Sequence, residues 1–415
     1  MELFDFIEKS PNAYFAVDTM AQELKKAGYE RLNEKDSWKL KAGKYFVTRD
    51  DSSLIAFCIP KKNFKGFHII ASHSDSPAFK VKPNPEMKVG EAYVKLNVEK
   101  YGGMIVSSWF DRVLSVAGRV LVDAKDGVES KLVNIDKDLL MIPSLAIHMD
   151  RTANEGHKYE IQKELRPLYT SDEKKSLLSL VAKEAKVKEK DILDADLFLY
   201  NRQTPTHFGA NKEFIGSPRL DDLQCVYGSL EGFLAAKPTD YVAVHAVFNN
   251  EEVGSETKQG AASSFLSDVI DRICEKFEFT KEDRVKALSD SFMISADNAH
   301  ALHPNYTEKT DPTNKPVLNG GIVIKYNANQ RYTTDAVSSA TLRKLCKKVD
   351  VPVQVYVNPS DIPGGSTLGS IATARVSMNT VDIGLPQLAM HSSYETAGAK
   401  DTEYMIRMAK EFFNE

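Results

Sequence analysis

The sequence contains few cysteines, and none of them are closely spaced. Its four cysteines, Cys58, Cys225, Cys274 and Cys346, lie far apart and form no C-x-x-C motif. This spacing is not typical of the disulfide framework of a small secreted domain or of a zinc site built from thiolates. We therefore expect buried, reduced thiols, as in a protein of the cytosol.

We also expect no targeting or membrane-spanning segment. The first residues include Glu2 and Asp5, whereas a signal peptide begins with basic residues. No apolar stretch approaches the ~20 residues that a membrane-spanning helix requires. The sequence therefore predicts a cytoplasmic protein that has no membrane partner.

The chain has no excess of basic residues. Its 54 lysines and arginines are balanced by 58 aspartates and glutamates, giving a net charge of -4. Lysines between Lys183 and Lys190 alternate with glutamate, which is typical of a solvated helix surface and not of a phosphate-binding patch. We therefore expect no nucleic-acid partner.

The length and the order of predicted elements indicate two domains. At 415 residues the chain exceeds the ~250–300 residues that a single core usually serves. Apolar patterns predict helices at 12–26, 220–236, 260–277, 336–348 and 402–413, and strands at 45–48, 54–59, 67–72, 241–248, 292–296, 322–325, 353–357 and 378–383. Strands separated by helices predict an α/β fold with a mainly parallel sheet and helices on both faces.

A middle segment interrupts this pattern with short β-like pieces and one charged helix at 172–186. We predict a discontinuous domain of residues 1–85 and 213–415, which would carry the chemistry, and an inserted β-rich domain of residues 86–212.

Polar residues follow several predicted strands at the point where each strand ends. Glu251 and Glu252 end the apolar run of YVAVHAVFNNEEVG at 241–254. Ligands of open α/β sheets bind at the carboxyl ends of strands, where one acid can bind a metal while its neighbour accepts a proton. A lone Glu-Glu pair is more often a solvated turn, so the interpretation depends on the other strand ends.

Those other ends carry residues of the same kind: His73 with Asp75, Asp221, Asp297 and His391. In a strand His73 and Asp75 share a face, so Asp75 can orient the imidazole. Two histidines and three carboxylates suit zinc, cobalt or manganese, and are too many for one open catalytic site. They suit two ions about 3.5–4 Å apart that share a carboxylate. His68 and His245 lie inside predicted strands and are expected to be packing residues.

Six segments together resemble one family. They are ASHSDSPAFKVKP at 71–83, GSPRLDDL at 216–223, FNNEEVGS at 248–255, SADNAHALHPNY at 295–306, IPGGSTLG at 362–369 and MHSSYETAG at 390–398. In this order and over nearly the whole chain, they resemble the aspartyl aminopeptidases of the eighteenth metallopeptidase family.

The resemblance implies a role for each strand-end residue. One ion, expected to be zinc, would be held by His73, Asp221 and Asp297, and the second by Asp221, Glu252 and His391. Glu251 would be the general base, and Asp75 would act behind His73. The family has asparagine where this chain has Asp222, and we assign the bridging role to Asp221.

The family's chemistry then implies the reaction. Water activated by both ions would attack the scissile carbonyl of a peptide with a free N-terminus, and Glu251 would take its proton and pass it to the leaving amine. Lys325 would face an acidic side chain, although similar proteins include broad and neutral specificities. Gly364 and Gly365, in a turn that tight geometry alone also explains, and Met390 would contact the substrate.

The resemblance also implies a twelve-subunit shell built from dimers. His148, in the inserted domain, would reach the partner subunit's active site, although by itself it is more simply a polar residue that ends a short strand. Two other functions stay open. Arg331 could hold the substrate carboxylate of a related two-metal carboxypeptidase or amidohydrolase, and a non-enzymatic peptide-binding shell would have lost catalytic residues, of which none is missing here.

Overall fold

The computed structural model describes residues 1–125, 127–365 and 367–415. Internal contacts divide the chain into two units. The first unit comprises Met1–Asp75, Pro205–Met390 and Glu395–Glu415, and the second comprises Ser76–Thr204 and His391–Tyr394. The second unit begins at Ser76, and the predicted boundary between residues 85 and 86 falls inside the strand Ala78–Val89.

The helices are α1 (Leu3–Lys9), α2 (Ala13–Lys26), α3 (Ile161–Glu164), α4 (Leu177–Ala185), α5 (Leu220–Ala235), α6 (Phe265–Lys276), α7 (Lys281–Ser289), α8 (Ala336–Lys348), α9 (Leu368–Arg375) and α10 (Asp401–Asn414). The strands from the N-terminus to residue 134 are β1 (Glu30–Leu32), β2 (Gly43–Arg49), β3 (Ser53–Ile59), β4 (Phe67–His73), β5 (Ala78–Val89), β6 (Tyr93–Tyr101), β7 (Leu114–Ala124) and β8 (Gly127–Asn134). The later strands are β9 (Leu168–Thr170), β10 (Ile192–Asn201), β11 (Thr206–Phe208), β12 (Phe214–Ser217), β13 (Val242–Phe248), β14 (Phe292–Ala296), β15 (Ala299–His300), β16 (Ile322–Tyr326), β17 (Val353–Val357), β18 (Asn379–Gly384), β19 (Pro386–Leu388) and β20 (Glu395–Gly398).

The main sheet of the first unit carries the candidate chemistry. Among the described residues it has nine strands in the order β1-β2-β3-β13-β4-β14-β18-β16-β17. Its central strands β13, β4, β14 and β18 run parallel, whereas β3 and β16 are antiparallel to their inner neighbours. Every residue of β4, β13 and β14 is buried, as expected where helices cover both faces. The parallel strands therefore end together at one edge.

Two apolar clusters cover the two faces of this sheet. Leu24 of α2, Phe233 of α5, Leu342 of α8 and Phe412 of α10 belong to one cluster. The other cluster contains residues of the opposite helices, including Phe265 of α6, Leu288 of α7 and Ala372 of α9. Alternate residues of β4 belong to alternate clusters, since side chains of a strand point to opposite faces.

Two glycines allow α5 and α10 to pack closely. A Cβ atom at Gly228 would lie 2.6 Å from Cγ of Met405, and one at Gly232 would lie 2.6 Å from Cβ of Ala409. Both distances are too short for real carbon atoms. The two helices can approach this closely because the residues of the Gly-x-x-x-Gly pair in α5 have no side chains.

The remaining sheets are smaller. In the part of the second unit that the structure describes, a six-stranded sheet has the order β8-β7-β10-β5-β6-β9, and all its pairings are antiparallel. Phe79, Trp109 and Leu197 lie in its core, together with Val181 of α4. A five-stranded sheet in the order β11-β12-β20-β19-β15 completes the first unit.

Most predicted elements occur near their predicted positions, and α8 and β17 have the predicted bounds. The helix predicted at 172–186 is shorter, because the Ser176 hydroxyl accepts a hydrogen bond from the Ser179 amide and caps α4 there. Cys225, Cys274 and Cys346 are buried and free, whereas the free Cys58 is only partly buried. In the part of the chain that the structure describes, no helix has the length and apolar character to cross a membrane.

His68 and His245 are packing residues of the main sheet, as predicted. Nδ1 of His68 lies 3.0 Å from the Phe412 carbonyl oxygen, and burial lowers the pKa of His68 to about 4. His245 is 0% exposed and its ring centroid lies 5.8 Å from that of Phe233. Burial lowers its pKa to about 3. Both side chains are therefore neutral in the folded protein at pH 7.

We expect His245 to destabilise the fold in acid. The pKa of His245 is lower in the folded protein than the ordinary ~6.5 of an unfolded chain. The stabilising contribution of the neutral side chain is therefore complete above pH 6.5 and is lost as the pH falls towards 3. At pH 5 the loss of unfolding free energy from this group amounts to about 2 kcal/mol. Urea denaturation of His245→Phe should show a smaller loss of unfolding free energy between pH 7 and 5. The exposed His207, changed to phenylalanine, serves as control, and equal losses in wild type and His245→Phe would contradict the assignment.

Candidate metal centre

Strand β4 delivers His73 to the carboxyl edge of the main sheet. The imidazole is almost fully buried, at 1% exposure. Its Nε2 atom lies 3.3 Å from Oδ1 of Asp221 and 3.8 Å from Oδ1 of Asp297. The Nε2 edge of the imidazole therefore lies next to carboxylate oxygens from two other segments of the chain.

The start of α5 places two acids beside this histidine. Arg219 has left-handed backbone angles, and Asp221 and Asp222, joined by a cis peptide bond, depart from helical geometry. The Asp221 amide donates a hydrogen bond of 3.0 Å to Oε2 of Glu395. Oδ2 of Asp222 accepts a hydrogen bond of 3.1 Å from the His73 amide. Asp221 thus faces the ring of His73, while Asp222 holds its backbone.

Asp75 connects His73 to the pair of glutamates. Its backbone oxygen lies 3.1 Å from Nδ1 of His73, and its carboxylate Oδ1 lies 3.4 Å from the same nitrogen. The two carboxylate oxygens accept hydrogen bonds of 3.2 Å from the amides of Glu251 and Glu252, in a short 3₁₀ turn after β13. The carboxylate therefore holds the turn of the glutamates as well as lying behind the imidazole.

Asp297 follows β14 and pairs with a buried lysine. Nζ of Lys325 lies 3.4 Å from Oδ2 of Asp297 and 5.6 Å from the centre of the Tyr332 ring. Lys325 is only 3% exposed, so it is not a solvated surface charge. Burial opposes its charge, but Asp297 and its other neighbours raise the pKa of Lys325 above the ordinary value.

The acids of this centre repel one another. Burial raises the pKa of Glu251 to about 8, and the carboxylates of Asp297, Asp75 and Asp221 add to the shift. Burial and nearby carboxylates also raise the pKa values of Asp222 and Glu252 well above normal. Burial alone would lower the pKa of His73, but the surrounding carboxylates raise it well above normal.

These side chains fit a divalent cation. His73, Asp221, Asp222 and Asp297 each offer a ligand atom within 4.8 Å of the others, and so do His73, Glu251 and Glu252. Nitrogen and carboxylate oxygen atoms are usual zinc ligands. A divalent ion would offset the repulsion that raises the carboxylate pKa values. The donor set and its excess negative charge are therefore suited to metal binding.

A buried amide network lies behind the acids, and the sequence prediction missed it. Nδ2 of Asn298 donates hydrogen bonds of 3.0 Å to Oε1 of Gln224 and 2.9 Å to Oε1 of Gln387. Its Oδ1 accepts from Sγ of Cys225 at 3.1 Å. Asn298 thus joins the segments that follow β14, begin α5 and form β19. Its position next to Asp297 was the only signal in the sequence.

The other predicted site residues lie in turns and loops. His391 belongs to the second unit, where its carbonyl oxygen accepts a hydrogen bond of 3.0 Å from the Ile105 amide. His148, in the same unit, is exposed in a turn. Gly364 and Gly365 precede Thr367, the N-cap of α9, and a Cβ atom at Gly364 would meet the Asn327 side chain at 2.6 Å. The next residue of the predicted turn, Ser366, lies outside the described residues.

Comparisons with known proteins identify the family of this chain. The model of the family described as "Aminopeptidase I zinc metalloprotease (M18)" matches residues 6–413. A "Probable M18 family aminopeptidase 2" of Clostridium novyi (strain NT) is 46% identical over 423 residues, covering 100% of this chain and 98% of the relative.

Solved structures show the same fold. A chain in the "Cryo-EM structure of the Ape4 and Nbr1 complex" has a TM-score of 0.94 and 39% identity, covering 99% of this chain and 84% of that one. The "mApe1 dodecamer" of S. cerevisiae has a TM-score of 0.87 and 30% identity, covering 99% and 95%. The predicted α/β metallopeptidase fold and the predicted resemblance are both confirmed. The chain belongs to the M18 family of zinc metalloaminopeptidases.

Proposed function

We propose that the protein is a two-metal aminopeptidase that hydrolyses the first residue from peptides with a free N-terminus. The observation that carries this proposal is the buried cluster of carboxylates around His73, in a chain of the M18 family. In this proposal His73, Asp221 and Asp297 would hold one ion, and Asp221, Glu252 and His391 would hold the other. Zinc is the expected metal, because the family model describes zinc enzymes.

Glu251 and Asp75 have separate roles in the proposed hydrolysis. Bound divalent ions polarise a carbonyl and lower the pKa of water. Glu251 accepts the proton of the attacking water as the new C–O bond forms, and returns it to the amine as the C–N bond breaks. Its raised pKa, about 8, suits a group that accepts and donates a proton near neutrality. Asp75 positions Glu251 through the backbone amide.

The assignment of Glu251 predicts a specific loss. Glu251→Gln should reduce kcat at least a hundredfold, because the amide cannot accept the proton. Metal content and thermal stability should stay near those of wild type, because Glu251 is not assigned as a ligand. His73→Ala is the contrasting variant and should lose metal.

The measurements are turnover of free and N-acetylated peptides, and metal content after dialysis. Substantial activity in Glu251→Gln would contradict its role as base. Cleavage of N-acetylated peptides as fast as free ones would contradict an aminopeptidase and favour an endopeptidase or amidohydrolase.

The side-chain preference of the first subsite is proposed to depend on Lys325. A lysine beside the centre favours an acidic N-terminal residue through a charge-assisted hydrogen bond. Its ammonium already pairs with Asp297 at 3.4 Å, so an acidic substrate has to share this charge. Competition of this kind would weaken the preference, and broad or neutral specificity is the alternative.

Lys325→Ala should separate these two specificities. With a shared ammonium we expect turnover of Asp and Glu substrates to fall about tenfold more than turnover of Leu and Ala substrates. Lys325→Arg, which keeps the charge, is the matched control. If Lys325→Ala reduced all substrates equally, Lys325 would act on Asp297 and not on the substrate side chain.

We also propose a homo-oligomer built from dimers, with His148 completing the active site of the partner subunit. Leu145, Ile147 and Met149, on either side of His148, are 63%, 47% and 77% exposed, which is typical of a segment that another subunit covers. The similar mApe1 structure is described as a dodecamer. An imidazole at the partner's site could donate a hydrogen bond to the oxyanion that forms on attack.

A mixing experiment tests the shared site. The His148→Phe protein should lose on the order of a hundredfold in activity, because it lacks one oxyanion donor. The Glu251→Gln protein should be inactive because it lacks the general base. Co-assembled subunits should regain activity, because a mixed dimer contains one site with both residues intact. Verified mixed assemblies without activity would place His148 in its own subunit's site or outside catalysis.

A further inference from the structure

Strand β18 carries a buried carboxylate that the proposed chemistry does not use. Asp382 is 1% exposed and pairs with Ser295 of β14 in the main sheet. Its carboxylate accepts hydrogen bonds from two hydroxyl groups and one backbone amide, and no charged group donates to it within the described part of the chain. Burying a charge without a counter-ion is unfavourable, so stability alone does not explain an acid at this position.

Two segments that are distant in the sequence bind the two oxygens of this carboxylate. Oδ2 accepts hydrogen bonds of 2.6 Å from both the amide and the hydroxyl of Thr333. Oδ1 accepts a hydrogen bond of 2.6 Å from the hydroxyl of Thr367. The Asp382 amide also donates a hydrogen bond of 2.9 Å to the Thr334 hydroxyl. Asp382 therefore joins the loop between β16 and α8 to the start of α9.

The hydroxyl of Thr367 is used for this link and not for capping a helix. Thr367 is the N-cap of α9, a position where a threonine hydroxyl usually accepts a hydrogen bond from an amide of the first turn. Its side chain makes no such bond to the described residues and donates to Asp382 instead. The first turn of α9 also lies directly on the carboxylate, since a Cβ atom at Gly369 would be 2.5 Å from Oδ1 of Asp382. Asp382 thus contributes to the position of α9 on the sheet.

The two joined segments lie next to residues that are expected to contact the substrate. Tyr332, in the loop between β16 and α8, has its ring centre 5.6 Å from Nζ of Lys325. Gly364 and Gly365 lie in the turn before α9. This turn approaches the same loop, since a Cβ atom at Gly364 would meet the Asn327 side chain at 2.6 Å. One carboxylate therefore holds two neighbouring parts of the proposed substrate site.

We propose that Asp382 is a positioning residue for peptide binding, which holds the loop between β16 and α8 and the turn before α9 in one arrangement. This inference rests on the proposed aminopeptidase function. In this role Asp382 touches neither the substrate nor a metal ion, and acts through Thr333 and Thr367. Loss of either link frees one part of the substrate site, which weakens peptide binding and leaves the proposed metal ligands in place.

Peptide binding to the metal-loaded Glu251→Gln protein measures this role without turnover. Thr333→Val and Thr367→Val, each added to Glu251→Gln, remove one hydroxyl and keep the shape of the side chain. Isothermal calorimetry with the tripeptides Asp-Ala-Leu and Leu-Ala-Leu should show about tenfold weaker binding of both in each variant, as expected for loss of one charge-assisted hydrogen bond. Metal content after dialysis should stay that of the parent protein, and loss of metal would contradict a role confined to the peptide.

Serine variants and a second threonine of α9 supply the controls. Thr333→Ser and Thr367→Ser keep the hydroxyl and should bind both peptides as tightly as the parent protein. Thr373→Val removes a hydroxyl that donates to the Gly369 carbonyl at 2.8 Å, within the helix, and should also bind like the parent. Weaker binding in the serine variants or in Thr373→Val, or unchanged binding in either Thr333→Val or Thr367→Val, would overturn the inference.

Hydrogen exchange of the peptide-free proteins separates positioning from a local packing effect. In Thr367→Val, amides of the loop between β16 and α8 should exchange faster than in the parent, as should amides at the start of α9, because one carboxylate holds both segments. Thr333→Val should show the same pair of changes. Faster exchange confined to the segment that carries the substitution would contradict a shared link through Asp382.

Turnover separates this inference from the proposed function. Thr367→Val with Glu251 intact should raise KM about tenfold and leave kcat unchanged. If wild type cleaved neither tripeptide while Thr367→Val weakened the binding of both, the proposed function would fail and the role of Asp382 would stand. Cleavage with the same KM in wild type and Thr367→Val would contradict the role of Asp382 alone.

Discussion

The structure of the first unit depends on the burial of several carboxylates around one imidazole. Burying like charges is unfavourable, and raised pKa values show that the folded chain retains part of this cost at Asp222, Glu251 and Glu252. The fold tolerates the cluster because backbone amides hold it: the amides of His73, Asp221, Glu251 and Glu252 each donate to a carboxylate. A site of this composition is suited to a cation.

The central position of three strands in the sheet explains how the side chains of the candidate metal centre are held in place. Strands β4, β13 and β14 are neighbours, and each is followed by residues of the centre. Asp75 accepts from the turn after β13, and Asp297 lies after β14. Because the strands are bonded to one another along their length, the side chains at their ends keep fixed separations, which a metal site requires.

The sequence predicted the part of the site that follows from strand periodicity. His73, Glu252 and Asp297 were identifiable because apolar strands end in polar residues, and parallel strands end at one edge. It could not predict that Asp75 would bind amides more than 170 residues away, that Asn298 would join three segments, or that Lys325 would be buried. Those features arise from contacts between elements that only the folded chain brings together. The start of α4 depends on the Ser176 cap, which periodicity does not reveal.

The close contact of α5 with α10 has a consequence for the acids at the start of α5. Asp221 and Asp222 lie in the first turn of α5, and the two glycines that contact α10 lie about two and three turns further along the same helix. The packing of α10 therefore stabilises the helix that carries two of the acids. Removal of α10 would abolish these contacts, so we expect the acids to take their native positions only after α10 has packed against α5.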